Sequence, residues 1–161
     1  MAEDLRDQPW AVNAAHHDTR KDVTLSICLR CRDGREDAED CDRGGSRLAD
    51  AVLLAGIAEH GVAVRGVHCL SQCKRACTVA VSGPDRFTYV FGDLDPSRDV
   101  AAVVALVELY AESTDGFMAR EARPRPMQAG VLGRVPPLGW RGDAVETVDL
   151  IPNPVSSETQ R

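Results

Sequence analysis

The six cysteines of this chain fall in two short segments, and a thiol can bind a metal or exchange electrons. The first segment holds a CxxC pair and one more distant cysteine, and the second holds three evenly spaced cysteines. Two groups with this spacing favour an iron–sulfur or a zinc site. The candidate ligands are Cys28, Cys31, Cys41, Cys69, Cys73 and Cys77.

Composition narrows the class of protein. The chain has 161 residues and a formal net charge of −6. An acidic surface argues against a general nucleic-acid binder, because such a protein needs cations to displace counterions. Aromatic residues make up only 4%, which disfavours stacking on single strands. We therefore expect no nucleic-acid partner.

The sequence also indicates a compartment. No apolar run is long enough to cross a bilayer, and the acidic N-terminus lacks the apolar core of a signal peptide. We therefore expect a cytoplasmic protein without a membrane partner. Because that compartment is reducing, six cysteines are better explained by metal binding or catalysis than by disulfides.

The periodicity of apolar residues predicts the elements that position the cysteines. The predicted order is strand, helix, three strands, helix, which is typical of a thioredoxin-like α/β fold with a mixed four-stranded sheet and flanking helices. The predicted strands are 23–27, 62–67, 79–81 and 87–91, and the predicted helices are 47–60, capped by Ser46, and 98–112.

We expect three regions. Residues 1–21 are polar without a period and predict a flexible arm, and residues 22–112 form the domain that carries the cysteines. Residues 113–161 hold six of the nine prolines and predict an extended tail without a regular strand or helix. Its first half can pack as a strap, while its end is expected to be loose.

The predicted topology brings the two cysteine segments together. Each segment directly follows a strand, 23–27 or 62–67, and the crossover helix makes these strands parallel neighbours. Their ends then lie at one edge of the sheet, where two thiolate-bearing loops meet. The flanking cations lower thiol pKa values and offset the charge of a reduced cluster; they are Arg30, Arg32, Lys74 and Arg75.

At these residues the chain resembles two known groups. The pattern Cys28-x12-Cys41, then Cys69-x3-Cys73, a strand hairpin and a helix, resembles the thioredoxin-like [2Fe–2S] ferredoxins. The stretch CLSQCKRACTVAVSGPDRFTYVFGDLDP is similar to the cluster segment of those proteins. More closely, the chain from Val23 to Pro137, with its GDLDP and RVPPL motifs, resembles the DUF1636 family, a bacterial group described as metal-binding.

The resemblance implies one [2Fe–2S] cluster and one-electron transfer to a redox partner protein. It also implies that a homodimer can form, although no dimer face stands out in the residues. The ligands that it implies are Cys28, Cys41, Cys69 and Cys73. Some members of the family occur near cobalamin-synthesis genes, which is an association and not a mechanism.

The ligand set leaves alternatives open. Cys31 can replace Cys41, because Cys41 lies in an acidic segment that looks mobile. Cys77 precedes a strand of small apolar residues and can be a further ligand or a buried core cysteine.

Two other functions compete with electron transfer. One is a zinc-binding structural or metal-carrier protein, in which Zn²⁺ stabilises the two loops. The other is a thiol oxidoreductase that uses Cys28 and Cys31, which we disfavour because no helical pattern follows the CxxC pair. None of the four histidines has a catalytic setting, so we expect a carrier and not an enzyme.

Overall fold

The computed structural model describes residues 22–36, 42–148 and 150. The predicted N-terminal arm, residues 1–21, lies outside this part of the chain, and so do Cys41 and the end of the predicted tail.

Five strands and three helices form the described part of the chain. In order they are β1 (Thr24–Cys28), α1 (Gly44–Leu54), a 3₁₀ turn (Ile57–His60), β2 (Ala63–Val67), a second 3₁₀ turn (Cys73–Arg75), β3 (Val79–Ser82), β4 (Thr88–Phe91), α2 (Val100–Glu112), α3 (Arg125–Ala129) and β5 (Val131–Val135).

The sheet has the strand order β2-β1-β3-β4-β5. β1 and β2 pair in parallel, and α1 makes the crossover between them. β3 pairs antiparallel with β1, and β4 pairs antiparallel with β3. The predicted mixed α/β class, with a parallel crossover, a hairpin and a helix in that order, is confirmed.

The number of strands was predicted wrongly, because the sheet has five strands and not four. β5 pairs antiparallel with β4 and comes from the segment that was predicted to hold no regular element. The prolines of that segment flank β5 without interrupting it. Pro126 lies in the first turn of α3, where a missing N–H is tolerated, and Pro136 follows the last residue of the strand.

One face of the sheet packs against the helices. Tyr89 and Phe91 of β4 are fully buried with their rings stacked at 5.7 Å between centroids, as expected for sheet core. Burial of such side chains contributes roughly 1.5–3 kcal/mol each to stability. The same core includes Leu25, Ile27, Val79, Val81, Val103, Leu106, Val107 and Tyr110.

The helix α1 differs from its prediction at both ends. It begins at Gly44 and not at Arg47, and it ends at Leu54 and not at His60. Gly56 follows with a φ of 80°, a left-handed conformation that glycine adopts without a Cβ clash, and it starts the 3₁₀ turn. The earlier start brings the helix N-terminus close to the first cysteine loop. In the described residues, no helix has the length and apolar character needed to span a membrane.

Candidate metal centre

The parallel pair β1 and β2 sets the position of both cysteine loops. Cys28 is the last residue of β1 and lies opposite Val67, the last residue of β2. The loops 29–36 and 68–76 therefore leave the same edge of the sheet side by side. The Sγ atom of Cys28 lies 4.0 Å from the carbonyl oxygen of His68, the first residue of the second loop. The His68 side chain is exposed to solvent.

Two glycines at the start of α1 allow the helix to lie directly against the first loop. A Cβ atom on Gly45 would lie 1.9 Å from the carbonyl oxygen of Cys28, far inside any allowed contact. The N–H group of Gly45 donates to the carbonyl of Cys31 at 3.1 Å, and the Ser46 hydroxyl donates to the carbonyl of Leu29 at 3.3 Å. The helix N-terminus thus fixes the backbone of the CxxC segment.

Three of the five described thiols are buried. Cys28, Cys31 and Cys77 are 3%, 2% and 0% exposed, and all three belong to the hydrophobic core. Sequence reasoning left open whether Cys77 is a ligand or a core residue, and the structure places it in the core.

Cys31 and Cys77 interact with each other. A hydrogen bond from the Cys77 thiol lowers the pKa of Cys31 to about 5, and the Thr78 hydroxyl, 3.7 Å from the Cys31 Sγ, acts in the same direction. The same hydrogen bond, together with burial, raises the pKa of Cys77. The hydrogen bond therefore favours the ionised form of Cys31 and the protonated form of Cys77.

Cys28 also contacts this pair, because its thiol hydrogen-bonds with that of Cys31. Burial raises the pKa of its thiol, while the N–H group of Leu70 opposes that shift. Because Leu70 lies in the second loop, this N–H group connects the second loop to the sulfur at the end of β1.

Cys69 and Cys73 are exposed, in contrast to the buried three. The N–H group of Ser71 donates to the Cys69 Sγ at 3.2 Å and lowers the pKa of Cys69. The Ser71 hydroxyl, at 4.0 Å, and the Cys73 thiol lower it further. Ser71 has a φ of 58°, so the loop adopts a left-handed turn that aims its N–H group at the sulfur.

A carboxylate lies next to the buried thiols. A Cβ atom on Gly44 would lie 2.8 Å from the Asp33 carboxyl carbon and 3.0 Å from the Cys77 Sγ, so both groups pack against this glycine. The Asp33 side chain is only 6% exposed, and its Oδ1 accepts from Arg47 at 2.6 Å. Its Oδ2 lies 3.2 Å from the Arg35 Nε but makes no well-aligned hydrogen bond.

Arginine–aspartate pairs occupy the rest of this end of the molecule. Arg75 binds Asp93 through its Nε at 2.8 Å, and this hydrogen bond lowers the pKa of Asp93. Arg35 also pairs with Asp95, whose carboxylate accepts from the N–H groups of two following residues. The acids of the described loops are therefore largely neutralised.

The predicted site residues divide into three sets. Cys69 and Cys73 stand on the exposed second loop, and Cys28, Cys31 and Cys77 lie beneath it; Cys41 lies outside the described residues. Within the part of the chain that the structure describes, no three His, Cys, Asp or Glu side chains are arranged around a single ion position. The thiol donor set nevertheless suits a [2Fe–2S] cluster, in which each iron takes two protein ligands.

Sequence reasoning missed several groups that act on the thiols. They are the Thr78 hydroxyl, the Asp33 carboxylate and the N–H groups of Leu70 and Ser71. The adjacent Gly44 and Gly45 were a usable signal, since two glycines at a helix start indicate a close backbone approach. Backbone donors leave no trace in residue types, so no sequence signal could have found them.

Comparisons with known proteins give one family and a few structural likenesses. The model of a family described as "Protein of unknown function (DUF1636)" matches residues 25–137. A thioredoxin-like [2Fe–2S] ferredoxin from Aquifex aeolicus is similar at 17% identity, covering 74% of this chain and 97% of that chain with a TM-score of 0.44. A second structure, the wild-type ferredoxin of that type from the same organism, is similar at 17% identity over 69% and 96%, with a TM-score of 0.43. No curated protein matches the sequence.

Proposed function

We propose that this chain, which belongs to the DUF1636 family, is a ferredoxin-like protein that holds one [2Fe–2S] cluster and passes single electrons to a partner protein. One observation carries the proposal: five described cysteines, all free thiols, lie on or beneath two loops that leave one edge of the sheet. Thiolates are the protein ligands of such clusters.

The proposed ligands are Cys28, Cys69, Cys73 and Cys41, with Cys31 as the alternative to Cys41. Cys69 and Cys73 already interact with each other and point from an exposed loop, so they form one natural ligand pair. Cys28 lies beneath them at the end of β1. Cys77 is the least available, because it is fully buried and donates to Cys31, while Cys31 hydrogen-bonds with both Cys28 and Cys77.

The residues around the thiols suit a site that accepts and donates electrons. The N–H groups of Leu70 and Ser71 point at the sulfurs of Cys28 and Cys69. Donors of this kind stabilise extra negative charge on the sulfurs and so raise a reduction potential. A bound cluster would supply the one-electron chemistry, and the chain would make or break no bond of a substrate.

A cytoplasmic location is part of the proposal. Exposed free thiols such as Cys69 and Cys73 persist where the medium is reducing. In an oxidising compartment they would be exposed to conversion into disulfides.

The test is an anaerobic ultraviolet–visible spectrum of freshly purified protein, with iron, sulfide and zinc assayed on the same sample. We expect broad visible absorption that bleaches with dithionite, and equal amounts of iron and sulfide. A colourless protein with stoichiometric zinc would contradict the proposal and favour the zinc-binding structural or metal-carrier function, including a link to cobalt or cobalamin metabolism.

A set of Cys-to-Ser variants tests the ligands separately. Loss of the visible spectrum in Cys69→Ser and Cys73→Ser, with retention in Cys77→Ser, supports the proposed set. Cys41→Ser and Cys31→Ser then identify the fourth ligand, because only one of them should lose the spectrum. Retention in Cys69→Ser together with loss in Cys77→Ser would move the site from the exposed loop into the core.

A further inference from the structure

We propose that Arg123 and Arg134, which both lie next to Tyr89, form a binding site for a phosphate group. We call these two residues the arginine pair. Arg123 precedes α3 and Arg134 belongs to β5, so the pair lies outside both cysteine loops in the sequence. The site is therefore separate from the proposed function and does not depend on cluster binding.

Arg123 is a buried cation without a carboxylate partner. Its side chain belongs to a residue that is only 8% exposed, and its Cζ atom lies 5.9 Å from the centroid of the Tyr89 ring. Within the described part of the chain, Arg123 forms no salt bridge. Buried charges are ordinarily paired, because removing a charge from water is costly. The charge of Arg123 is therefore available to an anion that binds from outside.

The hydrogen bonds of Arg123 leave most of its donors open. Its Nε donates to the Ala119 carbonyl at 3.4 Å and its Nη1 to the Met127 carbonyl at 3.5 Å, both longer than the usual distance of about 2.9 Å. Its Nη2 donates to no described residue. Among those residues the Asp33 Oδ2 is the one sealed side-chain atom without a partner, so the Nη2 of Arg123 is open to solvent. An anion can reach it there.

Arg134 brings a second guanidinium group to the same place. It lies directly opposite Tyr89 in the pairing of β5 with β4, and residues in such positions stand on one face with Cβ atoms about 5 Å apart. The Arg134 Cζ lies 5.3 Å from the centroid of the Phe117 ring, and the next N–H group, that of Met118, donates to the Tyr89 hydroxyl at 3.1 Å. Two neighbouring aromatic rings thus support the two cations.

The two cations of the pair repel each other. Burial lowers the pKa of Arg123, and the charges of Arg134 and Arg120 lower it further, while Tyr89 and Glu121 oppose the shift. Cations that act on one another in this way gain free energy when an anion binds between them. A doubly charged anion gains more than a singly charged one, because it neutralises both members of the pair.

This chemistry selects a phosphate group. A guanidinium group binds phosphate through two parallel hydrogen bonds, and a phosphate has enough oxygens for two such groups at once. The group can belong to free phosphate, to a phosphorylated small molecule or to a phospholipid headgroup, since all three present the same oxygens to the arginine pair.

The first test titrates inorganic phosphate into the purified full chain by isothermal calorimetry. The pH is mildly alkaline, where phosphate carries two negative charges, and chloride keeps the ionic strength constant. We expect saturable binding of one phosphate per chain. A heat signal no different from that of added chloride would overturn the proposal.

Removal of one exposed charge, with a matched control, locates the site. Arg134→Gln removes an exposed guanidinium group and should raise the Kd for phosphate roughly tenfold or more. Arg30→Gln removes the same charge from an exposed position after β1, three places from β5 in the sheet, and should change the Kd by about twofold or less. Equal losses in the two variants would mean that only net charge matters and would overturn the proposal.

The buried member of the pair is tested by Arg123→Met, which keeps an unbranched side chain but removes the charge. We expect phosphate binding to be lost in this variant. Unchanged affinity in a folded Arg123→Met protein, checked by circular dichroism, would overturn the proposal. If Arg123→Met does not fold, the comparison of Arg134→Gln with Arg30→Gln decides the question.

Further probes identify the source of the phosphate group. Competition with inorganic phosphate by glycerol 3-phosphate supports a small-molecule ligand, and competition by phosphatidic acid in phosphatidylcholine vesicles supports a lipid headgroup. Tighter binding of malonate than of phosphate would assign the arginine pair to dicarboxylates and would overturn the proposal. Purified protein that binds phosphate but carries no iron would contradict the proposed function and leave the phosphate site standing.

Discussion

The two cysteine groups of this protein share a residue type but not an environment. Cys69 and Cys73 lie on an exposed polar loop, whereas Cys28, Cys31 and Cys77 lie in the hydrophobic core. Hydrogen bonding lowers the pKa of exposed Cys69, and burial raises the pKa of Cys28. Spacing in the sequence identifies thiols that can bind a metal, but burial and hydrogen-bond partners decide which are free to do so.

The largest expected effect is a loss of stability at Gly45, the glycine of α1 that packs against the backbone of the buried cysteine segment. Gly45→Ala would place a Cβ atom 1.9 Å from the Cys28 carbonyl oxygen, which cannot move aside as a side chain could. We expect the free energy of unfolding to fall by about 3 kcal/mol or more. The measurement is urea denaturation of the metal-free protein.

The control for this change is Gly133→Ala in β5. A Cβ atom there meets no atom within 4 Å, so we expect a change within about 0.5 kcal/mol. Equal stabilities of the Gly45→Ala and Gly133→Ala proteins would show that α1 does not fix the first cysteine loop.

The next prediction separates the buried from the exposed thiols. Cys77→Ala removes a fully buried side chain and the hydrogen bond to Cys31, so the free energy of unfolding should fall by about 1–2 kcal/mol. Cys73→Ala, at an exposed position, should change it by about 0.5 kcal/mol or less. Denaturation of both metal-free variants measures the difference, and a larger loss in Cys73→Ala would reverse the comparison.

A smaller effect is expected at the contact between α1 and the first loop. Ser46→Ala removes the hydroxyl that donates to the Leu29 carbonyl at 3.3 Å. The free energy of unfolding should fall by about 0.5–1.5 kcal/mol. Ser97→Ala, at an exposed serine, serves as the control in the same denaturation experiment. An equal loss of unfolding free energy in both variants would show that the Ser46 hydroxyl does not stabilise the contact between α1 and the first loop.

The smallest expected effect is a shift in the pH range over which Cys69 reacts. Because the pKa of Cys69 lies below its ordinary value of 9.0, its alkylation by iodoacetamide should already be rapid below pH 9 and slow as pH falls through the lowered pKa. The same shift contributes stability that is fully present above pH 9 and is lost as Cys69 takes up a proton.

Cys28, whose pKa is raised, should still be mostly unreacted at pH 9. Mass spectrometry of samples quenched at a series of pH values measures both residues. Alkylation of Cys28 before Cys69 would contradict the assigned environments.

The sequence allowed the central part of the fold to be predicted for a physical reason. Alternating residues in 23–27 and the apolar face of the following helix specify a parallel crossover, which brings both cysteine loops to one edge. β5 was missed because Pro124 and Pro136 flank a short segment with a glycine at its centre. Pairing with β4 stabilises that segment, and a partner strand far away in sequence gives no local signal.

The sequence predicted which residue types form the site, but not which of the cysteines are buried. Cys31 and Cys28 share a CxxC motif, and the motif gives no indication that both are buried. Their burial follows from the approach of Gly44 and Gly45, which depends on where α1 begins. The predicted start of that helix was three residues too late, at Arg47 and not at Gly44, and this was enough to hide the contact.

β5 also determines how far the chain can be truncated from its C-terminal end without losing a strand of the sheet. A protein cut before Val131 would leave the N–H and C=O groups on the outer side of β4 unpaired, in a strand whose Tyr89 and Phe91 belong to the core. Open strands of this kind pair with other chains and precipitate. Truncation at about residue 137, where the family match ends, keeps the whole sheet but removes Trp140, whose ring packs against Phe87 at 4.7 Å between centroids. Truncation after α2 removes β5 as well and should yield insoluble material.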